Sequence, residues 1–278
     1  MIRVFGVIGD PIGHSLSPVM HNAAYRALGL ECTYIPFRVD RKDLPDAIRG
    51  AKALGIQGLN VTVPHKEAVM ELVDPDPLAE RIGAVNTIDL LHGKGYNTDA
   101  IGIKRSLEEE GLNLKGACVL LLGAGGAARA AAFSCLEGGA RLIISNRTRS
   151  RGEKLASELG GSVKAIGLER DEIASVIPGC DILINTTSVG MYPEVDKIPI
   201  DPDLLHKDLI VFDIVYNPPL TGLLREAKQK GCKTIDGVKM LVYQGAASFK
   251  IWFGFDPPVD VMEGAVRSAL RDKEVLNG

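Results

Sequence analysis

The segment Asn60–Val61–Thr62–Val63–Pro64–His65–Lys66 holds residues placed to do chemistry. Asn60 and Thr62 share one face of a strand by alternation, and Lys66 follows at a turn. A lone lysine is usually a solvated one. Beside other polar strand ends, its compact ammonium can polarise a carbonyl and exchange a proton. Such strand ends exist at Ala84–Val85–Asn86–Thr87 and at Gly95–Tyr96–Asn97–Thr98–Asp99. Asp99 opens a helix-like stretch, so it reads as an N-cap, as a site carboxylate, or as both. In the loop from Gly9 to Pro18, Ser15 and Ser17 offer neutral hydroxyls suited to a carboxylate. With Pro18 at the first helical position, spacing alone makes Ser17 a helix cap.

A second chemistry is written in Leu120–Leu121–Leu122–Gly123–Ala124–Gly125–Gly126–Ala127–Ala128. Gly123, Gly125 and Ala128 fit the dinucleotide fingerprint, with a buried-strand pattern before it and a helix pattern after it. Gly123 permits the tight turn, Gly125 lets backbone approach a pyrophosphate, and Ala128 lets helix pack on strand. The N–H groups and dipole of the helix start then favour phosphate. The alternative is a glycine-rich turn with no ligand. The next strand ends Ile143–Ile144–Ser145–Asn146–Arg147–Thr148, with Arg149 and Arg151 beyond. It lacks the acidic tip that binds a free ribose in NAD sites, and its guanidiniums suit a 2′-phosphate, which favours NADP.

These residues need elements to hold them. Strand patterns occur at Arg3–Ile8, Thr33–Val39, Gly58–Val63 and Ala84–Leu91. Helix patterns at Pro18–Leu28, Leu44–Leu54, Lys66–Val73 and Ile101–Glu110 separate or follow them. Gly111–Gly116 reads as a turn between units. A second series then runs through strands Cys118–Leu122, Arg141–Ser145, Ile182–Asn185, Leu209–Asp213 and Thr234–Ile235. Its helices are Ala127–Glu137, Arg149–Leu159 and Gly222–Lys230, and helices at Val238–Phe253 and Val259–Arg271 close the chain. Alternation of this kind predicts an α/β fold with mostly parallel sheets, the second series being a doubly wound nucleotide-binding unit.

Bulk properties exclude several classes. The net charge of −3, with no long Lys/Arg run, argues against nucleic acid. No stretch reaches the length of a membrane span, and the N-terminus lacks a signal-type apolar run. The five cysteines are scattered with no C-x-x-C pair, which argues against a disulfide framework or thiolate zinc site and points to cytoplasm. The five histidines show no metal-binding spacing, so no metal is expected.

Taken together, the segments resemble the shikimate dehydrogenase family along the whole chain. The carriers are GDPIGHSLSPVMHNAA from Gly9, NVTVPHK from Asn60, GAVNT from Gly83 and NTDAIG from Asn97. GAGGAARA from Gly123, NRT from Asn146, NTTSVGM from Asn185, DIVYNPPLT from Asp213 and DGVKMLVYQGA from Asp236 continue the series. The resemblance implies two α/β domains with a cleft between them. Residues 1–103 plus 238–278 would form the substrate-binding catalytic domain, and 104–237 a Rossmann-type NADP domain. It implies reversible NADPH-dependent reduction of 3-dehydroshikimate to shikimate. Lys66 and Asp99 would be the catalytic pair. Ser15 and Ser17 would hold the substrate carboxylate with Tyr216 nearby, and Asn60, Thr62, Lys66, Asn86, Asp99 and Gln244 would complete the substrate set. Gly123, Ala124, Gly125, Gly126 and Ala127 would hold the pyrophosphate. Asn146, Arg147, Thr148, Arg149 and Arg151 would surround the 2′-phosphate, and Ile214 and Gly237 would lie by the nicotinamide. A broader quinate/shikimate dehydrogenase favours an acid near the ribose, which Asn146–Arg147–Thr148 lacks. A non-catalytic NADP sensor on the same fold would have no need of Lys66 and Asp99. Monomer and homodimer both stay open.

Overall fold

The computed structural model describes residues 2–161 and 163–277, with side chains described as far as residue 272. The chain forms two compact units, residues 1–102 with 241–278 and residues 103–240. The first begins with β1 (Arg3–Gly9), α1 (Ser17–Ala27), β2 (Cys32–Arg38), α2 (Leu44–Ala53) and β3 (Gly58–Val61). It continues with β4 (Asp74–Pro75), α3 (Pro77–Ile82), β5 (Thr87–Asp89), β6 (Lys94–Tyr96) and the start of α4 (Asp99–Glu109). Its sheet runs β2-β1-β3-β5-β6-β4. The pairs β2–β1 and β1–β3 are parallel, while β5 is antiparallel to both β3 and β6.

The second unit contains β7 (Cys118–Leu122), α5 (Gly126–Glu137), β8 (Arg141–Ser145), α6 (Arg149–Leu159), β9 (Lys164–Ile166) and α7 (Arg170–Ala174). After these come β10 (Ile182–Asn185), β11 (Ile210–Asp213), α8 (Gly222–Gln229) and β12 (Lys233–Ile235). All its strands are parallel, in the order β12-β11-β10-β7-β8-β9. The helices α9 (Gly237–Phe253) and α10 (Val259–Asn277) end the chain, and the division between units falls inside α4 and inside α9.

The parallel strands are apolar on both faces because helices cover both sides. Val119, Leu120, Leu121 and Leu122 of β7 are wholly buried, as are Leu183 and Ile184 of β10. In the first unit, Ile8, Leu59, Val61, Val85 and Ile88 form the apolar layer. A separate aromatic layer joins Phe5 and Tyr25 to Phe249, Trp252 and Phe253 on α9.

Several expectations need correction. The strand pattern at Ala84–Leu91 shrinks to Thr87–Asp89, because its ends turn into polar strand termini and a hairpin whose second strand, β6, carries no apolar run of its own. The helix expected over Lys66–Val73 is a 3-10 turn at Ala68–Leu72, since Pro64 fixes the preceding backbone and only Val69 is fully buried. Gly111 and Gly116 do turn, with φ of 69° and 78°, but the turn lies inside the second unit. The strand β9 and helix α7 have no counterpart among the expected elements; each is five residues or shorter, too brief for periodicity to register.

Candidate active site

Three chain segments of the first unit meet at Lys66. The lysine lies beyond the end of β3, and its carbonyl accepts from Val85 N at 2.8 Å. That bond ties its backbone to the stretch entering β5. Its Nζ lies 2.5 Å from Asp99 Oδ2, the side chains being 12% and 4% exposed. The other carboxylate oxygen, Asp99 Oδ1, accepts from Asn86 Nδ2 at 2.8 Å. Burial this deep removes competing water, so the ion pair has one geometry instead of many.

Asn97 Oδ1 accepts from Ala100 N at 3.2 Å, and Gly102 N donates to Thr98 O. Asn97 thus supplies a capping bond to the first turn of α4, and Asp99, at the first helical position, pairs with Lys66. The cap reading of Ser17 fails. The helix α1 already includes Ser17, and Leu16 stands at its N-cap with no side-chain capping bond. Ser15 Oγ instead accepts from Ser17 N at 3.3 Å, which leaves the buried Ser17 hydroxyl outside any cap.

Asn86 is anchored by more groups than its sequence position suggests. Its Oδ1 accepts from Thr98 N at 2.7 Å, and its Nδ2 also reaches Thr98 Oγ1 at 2.9 Å and Gln244 Oε1 at 3.3 Å. Behind it, Thr87, Thr98 and Ser248 hydroxyls lie within 3.1 Å of one another in a closed triangle. Asn60 Nδ2 feeds this cluster through Ser248 Oγ and Thr87 Oγ1, while its Oδ1 accepts from Tyr34 OH at 2.7 Å. Asn60 thus spends its polar groups inside the unit. Thr62 is half-buried at the end of β3, and Gln244 is buried on α9 with Nε2 donating to Leu241 O. No local pattern singles out Ser248, Thr87, Thr98 or Tyr34. Only α9, folded back from far along the chain, brings Ser248 to Thr87 and Asn60.

The second unit carries the remaining candidates, Tyr216 among them on the segment after β11. Gly123 has φ of 114°, and a Cβ there would lie 2.7 Å from Thr186 Oγ1. Gly125 is the N-cap of α5 in ordinary extended backbone, and a Cβ on it would meet nothing within 4 Å. Gly126 and Ala127 form the first turn of α5, which carries no acid, so no carboxylate of that turn opposes an anion at its N–H groups and dipole. Ala124 is buried beneath the turn.

At the end of β8, Asn146 Nδ2 donates to Thr148 O, and Thr148 is the N-cap of α6. Arg147, Arg149 and Arg151 are exposed there. Arg149 is engaged by Glu153 at 3.1 Å and Glu172 at 3.0 Å, so it is less available than the sequence implied. No acid stands at the strand tip, and the set fits a phosphorylated ribose. Ile214 and Gly237 are in contact through backbone: a Cβ on Gly237 would lie 2.3 Å from Ile214 O. Among the described residues there is no group of metal-ligating side chains.

Comparison with known proteins bears on both units. The family description "Shikimate dehydrogenase substrate binding domain" matches residues 7–88, "Shikimate / quinate 5-dehydrogenase" matches 105–239, and "Shikimate 5'-dehydrogenase C-terminal domain" matches 237–267. The shikimate dehydrogenase (NADP(+)) of Methanococcoides burtonii is 52% identical over 97% of this chain and 99% of its own. The chain belongs to the shikimate dehydrogenase family. The family's fold is matched as closely as its sequence. A crystal structure of a shikimate dehydrogenase in complex with NADP+ superposes with a TM-score of 0.90 at 45% identity, covering 97% of this chain and 96% of that one. The family member from Thermus thermophilus, solved with NADP(H) and shikimate, gives 0.87 at 39% identity, covering 97% and 100%.

Proposed function

We infer that this protein is an NADP-dependent shikimate dehydrogenase, reversibly reducing the ring ketone of 3-dehydroshikimate to the alcohol of shikimate. The reaction belongs to the route to chorismate and the aromatic amino acids. The observation that carries the reading is the buried Lys66–Asp99 pair, held in one orientation by Asn86. NADPH held by the second unit would supply the hydride for the ketone carbon. Negative charge then grows on the ketone oxygen, and the Lys66 ammonium is the group placed to stabilise it and give it a proton. Asp99 keeps the ammonium aimed and offsets its charge once the substrate has excluded water. Asn86 fixes Asp99, and the hydroxyl cluster behind fixes Asn86.

Ser15 and Ser17 suit the substrate carboxylate as neutral donors. Thr62, Asn86, Asp99 and Gln244 suit its ring hydroxyls. The internal bonding of Asn60 favours a supporting role over direct contact. In the second unit, Gly123–Ala127 would hold the pyrophosphate, Asn146–Arg151 the 2′-phosphate, and the Ile214–Gly237 contact the nicotinamide. On this reading residues 1–103 with 238–278 handle substrate, and 104–237 handle cofactor.

The test is NADPH formation at 340 nm with purified protein, shikimate and NADP, beside quinate and NAD controls. Turnover confined to shikimate with NADP is expected. Comparable rates with quinate or NAD would make it a broader-specificity relative. Tight NADP binding without turnover on any pair would refute the reading.

A further inference from the structure

Asp213 is a fully buried carboxylate that the chemistry above does not use. Its partners are all neutral donors. Asn185 Nδ2 and Val215 N donate to Oδ1 at 2.9 and 3.0 Å, and Thr221 Oγ1 donates to Oδ2 at 2.7 Å. The directions are fixed by the next bonds outward. Asn185 Oδ1 accepts from Thr187 N and Thr187 Oγ1, so its amide side must face Asp213. Thr187 Oγ1 in turn accepts from Val189 N, and Thr221 Oγ1 accepts from Leu224 N at the start of α8. Every hydrogen in the chain points toward the carboxylate. Burial without a cation pushes Asp213 up to about 6 against these hydrogen bonds.

The place of this hub in the sheet gives it meaning. The strand order β12-β11-β10-β7-β8-β9 reverses between β10 and β7, and ligands of such sheets bind outside the strand C-termini at that switch. One lip of the switch is the Gly123–Gly126 turn. The other is the segment after β10, whose Thr186 Oγ1 would lie 2.7 Å from a Cβ on Gly123. Through Asn185, Asp213 sets the backbone of Thr187 and Val189 on that second lip. Through Val215 it sets the corner whose Ile214 carbonyl packs on Gly237. Thr221 links the same carboxylate to α8. The single charge therefore gathers three loops at one edge of the sheet, where an amide would present an N–H against one of the donors.

We propose that Asp213, acting through Asn185 and Val215, is a positioning residue that shapes the NADP(H) site without touching the cofactor. The proposal rests on the reading that the second unit binds NADP(H). The experiment measures NADPH affinity by fluorescence titration and separates KM from kcat for Asp213→Ala, Asn185→Ala and Leu223→Ala. Leu223 is buried on α8 in the core of the second unit and serves as a control for lost stability alone. Asp213→Ala and Asn185→Ala should each weaken NADPH by about tenfold or more and raise KM for NADP, with KM for shikimate unchanged. Leu223→Ala, compared by its melting temperature, should keep wild-type affinity. Wild-type NADPH affinity in both polar variants overturns the proposal, as does equal weakening in Leu223→Ala for an equal loss of stability. If Asp213→Ala does not fold, Asn185→Ala decides, since it leaves the Val215 and Thr221 bonds in place. A wild-type protein that binds NADPH but does not oxidise shikimate sinks the functional reading and leaves these titrations valid. Absence of NADPH binding in the wild type sinks both.

Discussion

Replacing Lys66 by Met removes the ammonium and keeps most of the side-chain volume, so its effects can be worked out from the site alone. Asp99 is left 4% exposed with Asn86 Nδ2 as its remaining strong donor. Stripping one partner from a buried ion pair costs about 3–5 kcal/mol, because the other charge stays desolvated. The retained amide bond places this case near the lower end, about 3 kcal/mol. At roughly 2–4 °C per kcal/mol for a large domain, that is a fall in Tm of about 6–12 °C. Losing the proton donor and the cation that faces the developing oxyanion should lower kcat about 10³-fold or more. Shikimate affinity by calorimetry should change little, since the ring and carboxylate contacts remain. The double variant Lys66→Met/Asp99→Asn removes the stranded charge and should regain part of the lost Tm while staying inactive. A Lys66→Met enzyme within tenfold of wild-type kcat would refute the reasoning, as would a double variant less stable than the sum of its parts.

Other expectations follow from the same geometry. Gly125→Val meets nothing within 4 Å but puts a poor capping residue at the head of α5, so stability should fall by about 0.5–1.5 kcal/mol while NADPH binding weakens at least about tenfold; unchanged binding would remove this turn from the cofactor site. Because Arg149 is engaged by Glu153 and Glu172, Arg147→Ala should lower the preference for NADP over NAD more than Arg149→Ala does, by roughly 1.5–3 kcal/mol of the 2′-phosphate contact, read as a ratio of kcat/KM values. Ser248→Ala opens the triangle behind Asn86 and strands buried donors at about 1–3 kcal/mol; a Tm unchanged in a melting curve would show the cluster to be slack. Asp213 titrates near 6 when folded against an ordinary value of 3.8, so the folded state holds the proton more tightly. Its contribution to stability is therefore full below about pH 4 and is lost as pH rises toward 6, roughly 3 kcal/mol at most. Asp213→Asn should flatten that segment of the stability–pH curve, and an identical slope in the variant would contradict the assignment.

Much of this protein is determined locally. The continuous apolar runs of β7 and β10 need two covered faces, and that requirement alone announces parallel strands under helices. The turn Gly123–Ala128 is legible because its glycine spacing sits between an apolar strand and a helix start, the context a dinucleotide fingerprint requires. The absence of an acid after Ser145 is likewise a local fact that chooses the phosphorylated cofactor. Lys66 and Asp99 are different. Their types are visible, but a lysine at a turn and an aspartate at a helix start each have an ordinary explanation until the sheet brings them to 2.5 Å. Only the folded chain shows that Asn97 bonds the first turn of α4, and that Leu16 rather than Ser17 stands at the head of α1. The supports are illegible for a stronger reason. Ser248 meets Asn60, and Asn185 meets Asp213, across long stretches of chain, and a hydroxyl or amide carries no periodic signal of what it will bond. Sequence pattern records which surfaces must leave water. Which polar groups then face one another in the space left behind is decided by strand order and helix return, and that is where this site acquires its geometry.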